Sequence, residues 1–161
     1  MVDAFMTEVP TRAKAKMASA LPVAAFRAPR TVRFSHCDPA GIVYTPNYID
    51  LMNGVIEDFF CAALGLDYYA IIRDRRIGLG FAQVHCTFFR PSIMGDNLDF
   101  RPLIGRIGGA SLAMRIHAHR DEEEVARGEF VLVTTELDRH KPTQIPDDIR
   151  AALSAYQDLC R

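Results

Sequence analysis

No apolar run in this sequence approaches the ~18 residues that a membrane-spanning helix needs, so membrane insertion is not predicted. The net charge is also close to zero, formally −1 at pH 7, which gives no electrostatic reason to expect a nucleic acid or a membrane surface as partner. The chain has no internal repeat, low-complexity tract or linker to a second domain. Its 161 residues, of which 49% are hydrophobic, therefore predict one globular domain with a substantial core.

Cysteine is scarce and scattered. The four cysteines include no C-x-x-C pair, so neither a disulfide framework nor a metal site is predicted. We expect reduced thiols in a cytoplasmic protein, with Cys61 and Cys86 in the core and Cys37 in a small buried apolar position. Cys160, near the end of the chain, is assigned no role.

The start of the chain is rich in Ala, Pro, Lys and Arg. It lacks a continuous apolar segment followed by a cleavage site, and Asp3 and Glu8 interrupt it, so a secretory signal is not predicted. The favoured interpretation is a loose N-terminal leader over residues 1–24, followed by one domain over residues 25–161. An amphipathic organelle-targeting segment is the alternative.

After the leader, hydrophobic patterning predicts one strand, one long helix, four strands and a short final helix. The first strand is expected over Ala25–Cys37. Apolar residues at steps of three and four predict a helix of about five turns from Pro46 to about Leu64, ended by Gly65. The other predicted elements are strands at Leu79–Arg90, Asn97–Ile107, Ser111–Arg120 and Val125–Asp138, and a helix at Pro146–Leu159.

The order of these elements favours an α+β domain in which one antiparallel sheet is covered by the long helix. The connections between the four strands are short, which suits antiparallel neighbours. One of them, the acidic run Asp121–Glu124, is expected to be a solvated hairpin tip. Gly54 lies inside the long helix, where glycine is unfavourable, so we expect the helix to approach the sheet closely there.

The most informative stretch is His36–Tyr48, which places the carboxylate of Asp38 shortly before the helix start. Thr45 is a favourable N-cap residue, and Pro46 suits the first helical position. A helix start carries unpaired N–H groups and partial positive charge, so it can hold a developing oxyanion. An acid beside such a start suits acyl-transfer chemistry. A purely structural turn and cap is the alternative.

The segment from Asp38 to Tyr48 reads D-P-A-G-I-V-Y-T-P-N-Y and runs into the amphipathic helix. It resembles the 4-hydroxybenzoyl-CoA thioesterase family of hotdog-fold proteins. The resemblance is specific over about Arg33–Phe60 and continues weakly through the turn at 90–98 and the following strands. It implies a single hotdog domain, in which a long central helix is wrapped by a five-stranded antiparallel sheet.

The resemblance also implies an active site. Asp38 would attack the thioester carbonyl or activate water, and the residue types leave both roles open. The thioester oxygen would be held by the backbone N–H of Thr45, with Tyr44 beside it. His36 and Gly41 would lie close to the substrate. The reaction needs neither a metal nor an organic cofactor, because a thioester is already activated and its thiolate is a good leaving group.

Two features depart from the family pattern. The loop between the third and fourth strands, Gly105–Ser111, carries only Arg106 where arylacyl members have a basic cluster that grips the phosphates of coenzyme A. Coenzyme A is therefore expected to bind more weakly or through other cations. Asn53 stands where the 4-hydroxybenzoyl enzyme has an acid that meets the substrate's phenol. The other cations that could bind the phosphates of coenzyme A are Arg90, Arg101, Arg115 and Arg120.

The histidines suggest weaker hypotheses. His36 could orient Asp38 or lie at the strand end without a catalytic role. His85 could line a pocket, although a half-buried position on a strand is the favoured interpretation. His117 and His119 share one face of a strand at a spacing that zinc ligands use, but the sequence indicates no further ligands. His140 is assigned no role.

Three functions remain in competition. The first is hydrolysis of an acyl-CoA thioester, with an aromatic acyl group as one option. The second is hydrolysis of acyl-carrier-protein thioesters, favoured by the glycine-rich loop that replaces the basic cluster. The third is a non-catalytic hotdog module that binds a ligand. The resemblance further implies a homodimer or homotetramer with sites between subunits, consistent with the need to cover an open sheet edge.

Overall fold

The computed structural model describes residues 13–161 and contains one helix-covered antiparallel sheet. The order of strands in the sheet is β1-β3-β4-β5-β2, and β6 pairs with β5. The strands are β1 (Ala28–Thr31), β2 (Ile77–Phe88), β3 (Asn97–Ile107), β4 (Ser111–Arg120), β5 (Glu123–Glu136) and β6 (Lys141–Pro142). The helices are α1 (Thr45–Asp58), α2 (Tyr68–Arg73) and α3 (Asp147–Leu159).

Helix α1 is the central helix that the periodicity predicts. Its apolar stripe is buried in the core with Phe100 and Phe130 from the sheet. The helix continues into a π-helical turn at Phe59–Ala63, and Gly65 follows with a φ of 66°, as expected of a glycine that ends a helix. The buried stripe consists of Tyr48, Leu51, Met52, Val55 and Ile56.

The sheet differs from the prediction in three places. Strand β1 ends at Thr31 rather than Cys37, because a 3-10 turn follows at Phe34–His36 and the side chain of Phe34 is exposed rather than buried. Strands β2 and β3 are not neighbours, since β4 and β5 lie between them. Helix α2 and strand β6 were not predicted at all.

Within residues 13–161, no helix is both long and apolar enough to cross a membrane.

The close approach of helix and sheet lies at Gly128 on β5 and not at Gly54. A Cβ atom at Gly54 would meet nothing within 4 Å, so that prediction is wrong. A Cβ atom at Gly128 would lie 2.5 Å from the Met52 sulfur and 2.4 Å from the Phe130 ring. The glycine that makes room for the helix therefore belongs to the sheet.

Two cysteine predictions also need correction or refinement. Cys61 is exposed on the outer side of the π-helical turn and is not a core residue. Cys86 and Cys37 are partly buried against the core, and the Cys37 thiol is 3.7 Å from the Arg33 carbonyl.

The described part of the leader is bonded to the sheet through its main chain. Arg127 donates to the Lys14 carbonyl at 2.9 Å, and the Lys16 amide donates to the Glu124 carboxylate at 2.6 Å. His119 donates to the Lys16 carbonyl at 3.0 Å. This part of the leader is therefore held against the domain rather than loose. Residues 1–12 lie outside the described residues, and the boundary at residue 24 stays a prediction.

Glu124 corrects the interpretation of the acidic run. Asp121, Glu122 and Glu123 are exposed, but Glu124 is 2% exposed. Its carboxylate accepts hydrogen bonds from His117 Nδ1 at 2.6 Å and from Arg127 Nε at 2.8 Å. Burial alone would raise the pKa of Glu124, but these donors and the Lys16 amide outweigh burial and lower the pKa to about 2.

His117 and His119 are buried side by side, with ring centroids 6.1 Å apart. Burial lowers the pKa of both imidazoles, against the opposing effect of Glu124. The neighbouring cations Arg127, Arg115 and Arg101 lower these pKa values further. Across residues 13–161, no group of three or more His, Cys, Asp and Glu side chains is arranged to hold a metal ion. The two histidines therefore belong to the interior of the domain, where burial favours the neutral form of both rings.

We predict opposite effects of alanine at the two glycines. Gly128→Ala should lower the free energy of unfolding by about 1–3 kcal/mol, because Met52 and Phe130 must both move. Gly54→Ala, the matched control, should be neutral or raise it by up to about 1 kcal/mol, because alanine favours the helix and meets no neighbour. Urea denaturation of both variants checks this, and equal effects would contradict it.

Stability should fall as the pH drops below about 6.5. The lowered pKa values mean that the folded state resists protonation of His117 and His119, whereas the unfolded chain binds those protons near pH 6.5. Each histidine then removes up to about 1.4 kcal/mol of stability per pH unit. Below about pH 4.5 the unfolded chain also binds a proton at Glu124, which stays ionised in the folded state down to about pH 2, and this adds to the decline. Replacing both histidines with Gln should reduce the change in the urea-denaturation midpoint between pH 6.5 and pH 5. Replacing the exposed His140 with Gln should leave that change as it is in the wild type.

Candidate active site

Asp38 lies in a tight hairpin between Cys37 and Val43, which pair as an antiparallel bridge. The Asp38 amide donates to the Ile42 carbonyl at 3.0 Å, and the Gly41 amide donates to the Asp38 carbonyl at 2.9 Å. Gly41 has a φ of 78°, which closes the turn in a conformation that few other residues adopt. The local sequence therefore fixes the backbone that carries the carboxylate.

The Asp38 carboxylate is half-buried and anchored at one oxygen only. Oδ1 accepts a hydrogen bond from the Ala40 amide at 2.8 Å, an arrangement that Asp favours in turns. No hydrogen bond to Oδ2 is found within the described part of the chain. One oxygen thus holds the side chain in place while the other is available for chemistry.

Helix α1 begins one residue earlier than predicted. Tyr44 is its N-cap and Thr45 its first helical residue, and no side chain caps the helix. The prediction that the Thr45 hydroxyl caps the helix is therefore wrong. The reason is that the preceding hairpin already fixes the start of the helix through main-chain hydrogen bonds.

Most backbone N–H groups at the start of α1 already donate hydrogen bonds. The Tyr44 amide donates to the His36 carbonyl at 2.9 Å, and the Asn47 amide donates to the Tyr44 carbonyl at 2.8 Å. Pro46 has no N–H. Among residues 13–161 the Thr45 amide has no hydrogen-bond acceptor. Within the part of the chain that the structure describes, it is the one donor of this helix start that is left for a ligand.

His36 organises the same loop. Its Nδ1 accepts the Arg33 amide at 3.0 Å, and its carbonyl also accepts the Asn47 side-chain amide at 2.8 Å. The structure shows no hydrogen bond from this imidazole to Asp38 within the described chain. The Tyr44 side chain is 53% exposed. The backbone amide of Tyr44 supplies no free N–H, because it donates to the His36 carbonyl.

Thr45 opens onto a cleft of about 340 Å³. Most of the cleft wall is apolar. Tyr48 was predicted only as part of the helix stripe, and Ser92 only as part of a turn, so sequence reasoning missed both as cleft residues. No sequence signal would have found the pair, because they meet across 44 positions of the chain. The wall includes Thr45, Tyr48, Phe88, Phe89, Arg90 and Ser92.

Apart from Thr45, the predicted catalytic and substrate residues do not line this cleft. Asn53 is on the side of α1 away from the core, where its amide donates to Glu57 at 3.2 Å. The Tyr69 hydroxyl donates to the same carboxylate at 3.0 Å. Arg106 is exposed near the end of β3. His85 is also exposed, on β2, rather than half-buried.

The candidate cations for phosphate binding are reduced to one by their ion pairs. Arg101 pairs with Asp99 at 2.8 Å, Arg115 with Glu129 at 2.7 Å, and Arg120 with Asp96 at 2.8 Å. Over the described range, the Arg90 guanidinium has no carboxylate partner. Arg90 lines the cleft, and it also lines a larger cavity of about 600 Å³ beneath the leader.

Comparison with known proteins identifies the family of the chain. Residues 32–153 match the model of the thioesterase-like superfamily. A 1,4-dihydroxy-2-naphthoyl-CoA hydrolase of Synechococcus elongatus is 22% identical over 130 residues, which cover 80% of this chain and 95% of the relative. The same-named enzyme of Rippkaea orientalis is 30% identical over 69 residues, or 43% of this chain and about half (49%) of the relative.

A solved structure is also similar. A gentisyl-coenzyme A thioesterase superposes with a TM-score of 0.73 at 26% identity, covering 80% of this chain and 99% of that one. The family match extends beyond the hairpin and helix start through strands β2 to β6. They do not single out the 4-hydroxybenzoyl-CoA family within the broader group. By its sequence match and its hotdog fold, the chain belongs to the thioesterase-like superfamily.

Proposed function

We propose that this protein hydrolyses the thioester of an aromatic acyl-CoA. The observation that carries the proposal is that one short segment holds both an Asp38 carboxylate with a free oxygen and, at the start of α1, a Thr45 amide that has no acceptor among residues 13–161. The relatives named for 1,4-dihydroxy-2-naphthoyl-CoA and gentisyl-coenzyme A support an aromatic acyl group that carries oxygen substituents. The products are a free carboxylic acid and coenzyme A.

The reaction follows from these two groups. The thioester oxygen accepts the Thr45 amide, so the negative charge that develops on it meets a fixed N–H at the positive end of α1. As a nucleophile, Asp38 attacks the carbonyl carbon and expels the thiolate, and water then hydrolyses the mixed anhydride. As a base, Asp38 takes a proton from water, which attacks instead. Both routes use the free Oδ2.

Arg90 is our candidate for the anionic part of coenzyme A. A guanidinium binds phosphate strongly through its planar set of donors, and a partner carboxylate would compete for them. Arg90 is free of such a partner among residues 13–161 and lines the cleft that contains Thr45. Arg106, the lone charge of the expected phosphate loop, lies outside that cleft.

The acyl group is expected to meet amide and carboxylate groups rather than a lone acid. Asn53 occupies the position where the family resemblance implies an acid for the phenol. Its amide is bonded to Glu57, which Tyr69 also contacts. A carboxylate thus lies one turn along the helix from that position. Because Asn53 lies outside the cleft of its own chain, we propose that it presents its amide to a substrate hydroxyl bound in the cleft of a second copy.

We further propose that two copies pair along β2. This strand of 12 residues lies at the edge of the sheet, and long exposed edges are usually paired or covered. Its apolar side chains Phe81, Val84 and Phe88 are 38–39% exposed. Because Phe88 also lines the cleft, a second copy at this edge would complete the cleft wall. A homodimer, or a homotetramer built from such dimers, would then hold its sites between subunits.

Asp38→Asn should lower kcat by roughly 10³-fold or more, because it removes the group that reacts with the thioester or with water. Release of free thiol from 1,4-dihydroxy-2-naphthoyl-CoA and benzoyl-CoA measures the rate. The control Asp158→Asn, an exposed acid on α3, should keep the wild-type rate. A folded Asp38→Asn protein with normal turnover would overturn the mechanism.

The same assay separates the competing functions. Matched thioesters of coenzyme A, an acyl carrier protein and N-acetylcysteamine carry one acyl group on three leaving thiols. We expect the highest kcat/KM on coenzyme A. Faster turnover of the carrier-protein thioester would favour the alternative carrier, and no turnover of any of them would favour a binding module.

Thr45→Pro should test the oxyanion donor with little disturbance of the fold. Proline suits the first helical position, the Thr45 amide has no partner to lose among the described residues, and Tyr44 is extended (φ −63°, ψ 130°), as a residue before proline prefers. Loss of one oxyanion donor costs roughly 10²- to 10³-fold in kcat. Thr45→Ala, which keeps the N–H, should remain close to wild type. Equal activity of the two variants would remove Thr45 from the mechanism.

A further inference from the structure

Ser92 is the most completely buried hydroxyl at the cleft, with 0% exposure. It lies in the connection between β2 and β3 and makes two hydrogen bonds. Its carbonyl accepts the Val43 amide at 2.9 Å, and its Oγ accepts the Tyr48 hydroxyl at 2.8 Å. Burying two hydroxyl groups is unfavourable unless they bond to each other, so this contact specifies one arrangement of the two segments.

The two bonds enclose Thr45 along the chain. Val43 lies two residues before Thr45, and Tyr48 lies three residues after it, at the first complete turn of α1. The Thr45 amide makes no hydrogen bond of its own within residues 13–161, so its neighbours alone set its direction. Ser92 therefore holds both sides of the one free donor.

Ser92 itself is firmly supported. The Ile93 amide donates to the Asp96 carboxylate at 3.0 Å, and Arg120 on β4 donates to the same carboxylate at 2.8 Å. Ile93 also pairs with Ile42 as an antiparallel bridge. The turn that carries Ser92 is thus tied to the sheet on one side and to the Asp38 hairpin on the other.

Tyr48 is held from the other direction. Its side chain is 4% exposed, and its ring lies 5.2 Å from the Phe88 ring, centroid to centroid. Burial raises the pKa of Tyr48, so the hydroxyl keeps the proton that it donates to Ser92. The ring belongs to the core, while the hydroxyl makes the bond to Ser92.

We infer that Tyr48 and Ser92 are a positioning pair, whose hydroxyl–hydroxyl bond aims the Thr45 amide at the thioester oxygen. The inference rests on the proposed function. Neither residue reacts with the substrate. The pair acts through Thr45, and its loss lets the first turn of α1 shift against the Asp38 hairpin. A displacement of about 1 Å at such a donor is enough to cost about 10²-fold in rate.

Tyr48→Phe and Ser92→Ala delete the bond while keeping the ring or the backbone. We expect each to lower kcat roughly 10- to 100-fold and to change KM less than about twofold, because an oxyanion donor acts mainly in the transition state. The matched control is Tyr156→Phe. Tyr156 is 5% exposed, and its hydroxyl donates to the Pro102 carbonyl at 2.7 Å and accepts the Phe26 amide, so the control loses a buried hydroxyl outside the cleft wall.

The control should lose thermal stability and keep kcat. A fall in kcat for Tyr156→Phe equal to that for Tyr48→Phe would mean that general loosening explains the effect, and it would overturn the inference. The double variant Tyr48→Phe/Ser92→Ala should be no slower than the slower single variant, since both remove the same bond. Multiplying effects would contradict a shared bond.

A second background tests whether the pair acts through Thr45. In Thr45→Pro the donor is already absent, so adding Tyr48→Phe should cost no further activity. An undiminished effect of Tyr48→Phe in that background would show that Tyr48 acts elsewhere.

A readout without turnover separates this inference from the proposed function. The ¹H–¹⁵N resonance of Thr45 should move in Tyr48→Phe and in Ser92→Ala, and stay in place in Tyr156→Phe. An unmoved Thr45 resonance would refute the positioning role even if the wild type is an active thioesterase. A moved resonance in a protein that hydrolyses no thioester would refute the proposed function and leave the contact in place.

Discussion

The start of helix α1 is the constraint on which the candidate site depends. A helix start exposes N–H groups that have no partner within the helix, and burial makes unpaired N–H groups costly. Here one carbonyl, that of His36, accepts both the Tyr44 amide and the Asn47 side chain. Proline removes another donor, and among residues 13–161 only the Thr45 amide is left without an acceptor. The Thr45 amide is thus free because, in the described chain, the other amides of the helix start are bonded and Pro46 has none.

The position of that donor depends in turn on how α1 lies on the sheet. Met52 packs where Gly128 leaves no side chain, so the helix sits closer to β5 than any other residue there would allow. The approach places the first turn beside the end of β2 and the connection that carries Ser92. A glycine on the sheet therefore has an effect at the cleft, through the rigid helix between them.

Local pattern was enough to predict the elements that bury one face. The strands β3 and β4 begin and end where the sequence places them, and the alternation of apolar and polar residues matches actual burial in the first half of each strand. In the second half of β4 the alternation fails, because His117 and His119 are buried as well. The same rule failed at Phe34, an apolar residue that the fold leaves exposed. It also placed the close approach at Gly54, since a sequence shows where a glycine is but not what faces it.

The features that sequence reasoning missed depend on contacts between distant parts of the chain. Glu124 looks like one more solvated acid, but it is buried and bonded to the leader, 108 residues away, to His117 and to Arg127. The sheet order, with β2 beside β5, is equally non-local. At the candidate site, Asp38 and Thr45 were identified because they lie seven residues apart in one motif, whereas Tyr48 and Ser92 are joined only by the fold.

The two walls of the cleft differ in how completely the described chain covers and supports them. On one side Phe89 lies under the Arg127 guanidinium, 5.1 Å from ring centroid to the charged carbon, and Glu124 holds that guanidinium in place. This wall is therefore held in place by the buried ion pair of Glu124 with Arg127. On the other side Phe88 is 39% exposed on an edge strand whose outer hydrogen-bonding groups face no strand of the described chain. A cleft that binds an acyl group needs both walls, so under the proposed function we expect the active form to be one in which a second copy covers β2.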